Sequence, residues 1–446
     1  MSVTGNRESI TSRTAAIGVL KDFVGGATVR VVGVLISFLC NVWIARISGA
    51  EAFGSYSVFV QWVAIAGVIL SCGIPDIALR EASKRPMPDS GKEDIFLGLR
   101  LLSLLALLGV LVFLWSCAFF YEVKYYSLIA VCAALMALAT FFQGLVRAQI
   151  GSGIALLPLA IGFPAFILCS VFLLRFTGGE VDFYYLGFIY FCGLLFSVFL
   201  FILGSLSSGK IKEFWKGIES SFSLLGLKGL VVRGGPFLGL AVVSILSARL
   251  DMMVVLLIDD AVQAGYYAAA ARVSEAFLLP VVMLNFSLLP VVVRCFRSGD
   301  DSGMVYIVVR AYRVLALPFI VLVLIFIFFS KELIIFLYGE EYSEALSILR
   351  MLLVAQVANL VWGGSGMMLL ASNREKMSFY IGLISSVFGG VLLVLLGSFF
   401  GIVRLALASS VSFVCWRLAL SIAVERTVGF SVSVVSPRNA LREKPL

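Results

Sequence analysis

The sequence predicts an all-α integral membrane protein of about 12 transmembrane helices, arranged as two six-helix lobes related by a parallel pseudo-twofold repeat. Three observations carry that prediction. Of 446 residues, 61% are hydrophobic and 13% are charged, and mean hydropathy is +1.07; a water-soluble domain is nearer half apolar and a quarter charged. The apolar residues come in runs of about 20, long enough to cross a ~30 Å hydrocarbon slab as helix. Features of the first half also recur in order in the second.

Residues 1–25 are polar at their start and show no cleavable-signal pattern, so they are expected to form a cytoplasmic segment and the first span to act as insertion signal. The N-lobe, 26–204, holds spans near 26–47, 54–79, 97–120, 127–145, 154–174 and 183–203. Residues 205–229 are the longest polar stretch between hydrophobic blocks and read as a cytoplasmic linker. The segment Gly204 to Gly209-Lys210 nearly matches a phosphate loop. Ile211 stands where Ser or Thr must hold magnesium, so no nucleotide motor is predicted. The C-lobe, 230–424, holds spans near 236–258, 266–293, 308–329, 346–370, 379–400 and 402–424, followed by a cytoplasmic tail, 425–446.

Lysine and arginine set the orientation. Arg80, Lys84, Arg85 and Lys92, then Lys210, Lys212, Lys216 and Lys228, then Arg294 and Arg297 lie in alternate loops, which places both termini in the cytoplasm. The net charge of +8 follows from this bias and implies no nucleic-acid partner. The repeat rests on three features. Arg30 and Arg46 have the same spacing as Arg233 and Arg249; Gly54-Ser-Tyr56 matches Gly265-Tyr-Tyr267; and Pro75 with Arg80 matches Pro290 with Arg294. An even number of spans per half makes such a repeat parallel, with cargo expected between the halves.

Histidine is absent, and the eight cysteines form no C-x-x-C pair. Ser-His-Asp chemistry, a zinc site and a disulfide framework are thereby excluded, and neither a metal nor a cofactor is predicted.

The stretch 230–297 carries four charges inside apolar spans: Arg249, Asp251, Arg272 and Glu275. Each costs about 3 kcal/mol or more at mid-bilayer. Asp251 and Arg272 lie roughly ten residues, or about 15 Å, from the turn between their spans, so they should share a depth. Arg272 and Glu275, three residues apart, share a helix face. Two readings stay open: an ion-pair network locking helices together, or the lining of a hydrated cavity. Arg30, Asp76 and Arg417 are further charges within or near spans, and Asn41, Gln356 and Asn359 are uncharged polar groups that either glue helices or touch cargo. Pro75, Pro158, Pro164, Pro236, Pro280, Pro290 and Pro318, within or at the ends of spans, predict kinks. Arginine, rather than lysine, at depth favours an anion such as a pyrophosphate, which it binds as a fork. The interspersed acids either take up a proton or sodium ion or only neutralise the arginines.

The run from Val29-Arg30 through Arg46-Ile-Ser-Gly-Ala-Glu-Ala-Phe-Gly54-Ser-Tyr56 to Gly73-Ile-Pro75-Asp76-Ile-Ala-Leu-Arg80 resembles the opening of the polysaccharide-biosynthesis (Wzx-type) flippases. These belong to the MOP exporter superfamily, with the MATE drug exporters and the lipid II flippases. The resemblance continues in Ala248-Arg249-Leu-Asp251, Ala264-Gly265-Tyr-Tyr267, Ala271-Arg272-Val-Ser-Glu275, Phe336-Leu-Tyr-Gly-Glu340-Glu-Tyr342 and Leu370-Ala-Ser-Asn-Arg374. Ile47-Ser replaces the usual Leu-Leu before Gly49.

The resemblance implies a MATE-like V of two lobes in a bacterial inner membrane. Its cargo would be an undecaprenyl-diphosphate-linked oligosaccharide, such as an O-antigen unit of lipopolysaccharide, moved from the cytoplasmic to the periplasmic leaflet by alternating access. On that reading Arg30, Arg249, Arg272 and Arg417 are candidates to bind pyrophosphate. Asp76, Asp251 and Glu275 are candidates for H+ or Na+ coupling or charge balance. Asn41, Gln356, Asn359 and Trp362 are candidates to contact sugar. The partners implied are the lipid-linked oligosaccharide, membrane lipids, a polysaccharide polymerase and a chain-length regulator. A cation-coupled multidrug exporter of the same fold is the alternative; it would want an acidic, aromatic cavity. An enzyme is not expected, because the outer loops are too short for a glycosyltransferase or polymerase.

Overall fold

Long apolar runs become helices here because in lipid every backbone N–H and C=O must be satisfied within its own segment. The computed structural model describes residues 4–84, 89–119, 124–176, 178, 181–207, 224–258, 260–298, 301–372 and 374–429. The side chains of 4–24 and of some helical positions, Arg249 among them, fall outside the described set, as do Gly209-Lys210 and the tail from 430. The described residues are almost all helical and form no strand.

Helix α1 (Thr4–Ser71) runs through both of the first two expected spans and leaves helical geometry at Gly49 (φ 75°, ψ 174°), a conformation glycine adopts without steric cost. A second break follows at Cys72 (φ 49°) and Gly73 (φ 70°). There α2 (Ile74–Ala82) begins, with Pro75 in the first turn, where no N–H is needed. The span expected at 54–79 is therefore two helices, not one. α3 (Asp89–Phe119), α4 (Lys124–Gln149), α5 (Ser152–Leu157), α6 (Phe163–Phe176) and α7 (Phe183–Ser207) follow. A π turn at Pro158–Gly162 joins α5 to α6, where the proline removes one backbone donor.

Past the linker lie α8 (Leu224–Ile258), α9 (Ala261–Ala276) and α10 (Leu279–Arg297). The span expected at 266–293 is also broken, bending by 42° between α9 and α10. Phe277 N bonds back to Ser274 O and Leu278 N to Glu275 O, tightening the last turn, and Pro280 then opens α10. The chain continues through α11 (Asp301–Phe328), α12 (Ser330–Tyr338), a 3₁₀ turn at Glu340–Glu344, α13 (Ala345–Trp362), α14 (Ser365–Ala371), α15 (Glu375–Phe400) and α16 (Ile402–Val428). Ten of the described helices are long and apolar enough to cross a membrane, or eleven if the bent α9–α10 pair counts as one span.

Outward faces are apolar. α3 exposes Leu104, Leu107, Leu108, Leu111 and Leu114, and α15 exposes Ile384, Val387, Val391 and Val394, each set spaced as one helical stripe. Polar groups such as Gln61, Gln356 and Asn359 are buried instead. That inversion of the soluble pattern suits a lipid surround.

By contacts the chain forms two compact units, one of residues 1–40 and 62–242, the other of 41–61 and 243–446. This division does not follow the linker. In the first unit the core gathers Ile74, Ile95, Leu102, Phe141 and Phe201, and α8 meets the α1–α2 break so closely that a Cβ on Gly234 would lie 2.1 Å from Cys72 O. In the second unit Phe53 and Phe59 of α1 join Tyr267, Tyr312 and Tyr342 in the core. Here a Cβ on Gly265 would lie 2.1 Å from Ala50 O, and one on Gly54 1.9 Å from Ala261 O. The kink at Gly49 is held by three bonds from a distant segment. Glu341 Oε1 accepts from Ala50 N at 2.8 Å, Tyr342 donates to Ala45 O at 3.0 Å, and Arg46 donates to Phe336 O at 2.5 Å.

Candidate functional site

Charge inside the second unit collects where α9 stops. The bend after Ala276 leaves Arg272 and Glu275 in the last turn of α9, and Asp251 faces them from α8. All three line one small pocket of about 30 Å³ with Ser57 and Gln61 of α1 and Tyr267 of α9. Its volume admits a water or two, or a bare cation.

The pairing inside the pocket differs from a cross-helix lock. Arg272 Nη1 donates to Glu275 Oε2 at 2.9 Å, a partner on its own helix. Asp251 is satisfied without a guanidinium. Its Oδ2 accepts from Tyr267 Oη at 2.7 Å and from Ser409 Oγ of α16 at 3.2 Å, and its Oδ1 accepts from Met252 N at 2.8 Å. Asp251 also borders a second cleft of about 60 Å³, lined by Ser385 and Ser386 of α15 and by Ser409, Ser412, Phe413 and Trp416 of α16. One carboxylate with several hydroxyls is an oxygen-donor set, suited to a hard cation or a proton. With both acids ionised, two carboxylates face one described guanidinium in the smaller pocket, a balance of −1.

The structure thus brings Asp251, Arg272 and Glu275 together. Arg417 lines neither pocket; eight residues past Ser409, it lies about 12 Å farther along α16. Arg30 and Asp76 are exposed, on α1 and α2 of the first unit. Asn41 and Trp362 are half-buried in the second unit, and Gln356 and Asn359 are buried there. Gln356 donates to Ser274 Oγ at 3.0 Å and so faces α9 next to, but not within, the charged pocket.

The sequence reading missed Tyr267, Ser57, Gln61 and Ser409. Gln61 carried a signal, being an amide in mid-span, and Tyr267 stood inside a repeated motif. The two serines carried none, because serine is common at packed membrane-helix contacts.

A family model described as polysaccharide biosynthesis protein matches residues 19–296. No curated protein sequence is significantly similar to the chain. Among solved structures, an inward-facing multidrug resistance MATE family transporter of the MOP superfamily superposes with a TM-score of 0.70 at 12% identity, covering 90% of this chain and 98% of that one. The lipid II flippase MurJ in an inward closed conformation gives 0.65 at 18%, covering 90% and 87%. A MATE bound to MaL6 gives 0.59 at 15%, covering 92% and 96%. Identities this low establish the fold of the MOP transporters and nothing finer. The matched family model spans well over half of the chain, which therefore belongs to the polysaccharide biosynthesis protein family.

Proposed function

We propose that the protein is a flippase of the bacterial inner membrane that carries lipid-linked oligosaccharide repeat units, on undecaprenyl diphosphate, from the cytoplasmic to the periplasmic leaflet by alternating access between the lobes at 26–204 and 230–424. The observation that carries this reading is a charged, hydrogen-bonded pocket at Asp251, Arg272 and Glu275, inside the apolar helices of a polysaccharide-biosynthesis family member. Keeping charge in hydrocarbon is costly and marks a transport path more often than a packing device.

The proposed labour is divided among the candidates as follows. Arg272 is matched by Glu275, so in this state it is not free to grip a diphosphate. Arg30, Arg249, Arg272 and Arg417 are the proposed candidates for the diphosphate, Arg272 once Glu275 is protonated. Asp251 and Glu275, with hydroxyls beside Asp251, are the residues for H+ or Na+ coupling. Protonating Glu275 would release Arg272 toward an anion, which links ion uptake to cargo binding. Asn41, Gln356, Asn359 and Trp362 are left as sugar contacts, and Asp76 as charge balance. A polymerase and a chain-length regulator would act on the delivered unit.

One observation favours the second reading, a cation-coupled multidrug exporter: acids outnumber described cations in the pocket, and Tyr267 adjoins them. The two readings separate in one deletion strain. Complementation with Glu275→Gln, Asp251→Asn or Arg249→Ala, at unchanged membrane level, should cut surface glycan at least tenfold and leave drug susceptibility alone. Normal glycan in all three, with drug sensitivity in the deletion strain, would transfer the assignment to the exporter.

A further inference from the structure

We infer that the Asp94–Arg233 ion pair is a releasable latch, which holds the first part of α8 against α3 and the α1–α2 break and frees it to swing away. The pair is bidentate: Arg233 Nη1 donates to Asp94 Oδ2 at 2.7 Å and Nη2 to Asp94 Oδ1 at 2.6 Å. Arg233 Nε donates in addition to Gly229 O, one turn back on α8, at 3.2 Å, so the guanidinium is held in one orientation. Lys84–Glu81 and Arg272–Glu275 each join neighbours three apart on one helix, whereas this pair joins positions 139 apart. Its two sides differ in access. The carboxylate side chain is 10% exposed and the guanidinium 56%. Parting them strands the sunken Asp94, which keeps the latch shut, while the arginine side stays open to attack from water.

The packing beside the pair is built to part cleanly. A Cβ on Gly234 would lie 2.1 Å from Cys72 O, and one on Gly73 would lie 2.3 Å from Gly234 O. Backbone lies on backbone there, so separation has few side chains to disengage. Leu230, fully buried, reaches Gly98 of α3 close by, where a Cβ would lie 3.7 Å from Leu230 Cδ2. Pro236, inside α8, lacks the N–H that would bond to the Val232 carbonyl, and Gly235 and Gly239 have open space at their Cβ positions. The weak point of the helix therefore falls within three residues of the latch. By contacts, residues 224–242 of α8 belong to the first unit and its remainder to the second. A bend near Pro236 detaches one end of α8 and leaves the packing of the other end intact.

The latch itself stands on the geometry of the first unit. Its use, to open and shut the path on the side of the lysine- and arginine-rich loops, rests on the transport reading proposed above.

Two native thiols test it. Cys72 is free and half-buried at the break that α8 covers, and Cys132 of α4 is free and fully buried in the same unit. The purified full chain in detergent is reacted with N-ethylmaleimide well below its unfolding midpoint, and labelled peptides are followed by mass spectrometry. Asp94→Asn and Arg233→Gln should each speed labelling of Cys72 about tenfold and leave Cys132 unlabelled. Adding Pro236→Ala to Arg233→Gln restores a backbone bond in α8 and should remove most of that gain. In the wild-type chain, about 1 M salt should also speed Cys72 labelling, because it screens the exposed arginine. An unchanged Cys72 rate in both single variants overturns the latch and makes the pair a fixed brace; a gain that Pro236→Ala leaves untouched overturns the swing. A variant that labels Cys132 as well has unfolded, and the wild-type salt response then decides: no rise overturns the latch. Surface glycan scored separately in the deletion strain tells the two readings apart. Fast Cys72 labelling with normal glycan in Arg233→Gln cells keeps the latch and removes its role in transport.

Discussion

Tyr267 is wholly buried and spends its hydroxyl on one partner, Asp251 Oδ2, which Ser409 also bonds. Removing the donor by Tyr267→Phe leaves Ser409 to solvate the carboxylate, so the cost should be about 1–2 kcal/mol. Asp251→Asn should cost a similar amount, because the amide offers one acceptor oxygen where the carboxylate offers two to Tyr267, Ser409 and Met252 N, and the double variant should cost less than the sum. Unfolding midpoints of the purified chain in detergent would show that coupling. The Arg272–Glu275 pair predicts an asymmetry: the arginine is 19% exposed and the glutamate 41%. Glu275→Gln strands the better-buried charge and should lower stability by about 1 kcal/mol more than Arg272→Gln, which leaves behind the charge of the more exposed partner. Equal losses would mean that water reaches both ends of the pair.

At the scale of helices, close contacts dominate. Gly265 tolerates no side chain, because its Cβ position lies 2.1 Å from a backbone oxygen, that of Ala50, which cannot rotate away. Gly265→Ala should therefore cost about 1–3 kcal/mol or displace the kinked segment of α1. Gly229→Ala, with open space around it, should be neutral or slightly stabilising. Comparing the two midpoints isolates packing from backbone entropy. These elements also show how far a sequence can be read. Span length and apolarity are local, so the long helices were legible from residue runs alone, and the acids Asp251 and Glu275 announced themselves by violating those runs. The breaks at Cys72–Gly73 and Phe277–Leu278 were only half legible: Pro75 and Pro280 foretold bending, not the residue at which the helix would stop. Arg272 could be matched to Glu275 from their i,i+3 spacing. Tyr267 could not be matched to Asp251 in the same way, since their approach depends on how α9 packs against α8. The grouping of residues 41–61 with the C-terminal unit is likewise a tertiary fact, made by Glu341, Tyr342 and Gly265 from far along the chain.

For the whole molecule, the open quantity is how many times the chain crosses the bilayer. The 47-residue apolar stretch Gly25–Ser71 is about 70 Å long and kinked at Gly49, more than twice what one crossing needs. We read it as two spans, and the bent α9–α10 pair as one, which brings the ten described candidates to twelve. An even total returns the C-terminus to the side of the N-terminus, and from the lysine- and arginine-rich loops we propose that this side is the cytoplasm. If the bent pair instead re-entered, every later segment would invert. A green fluorescent protein fused after Leu446 should therefore fluoresce, and alkaline phosphatase fused at Gly339 should be active outside. A dark C-terminal fusion together with an inactive phosphatase at Gly339 would make α9–α10 a re-entrant hairpin. Arg272 and Glu275 would then sit at its tip, and the count of spans would be odd.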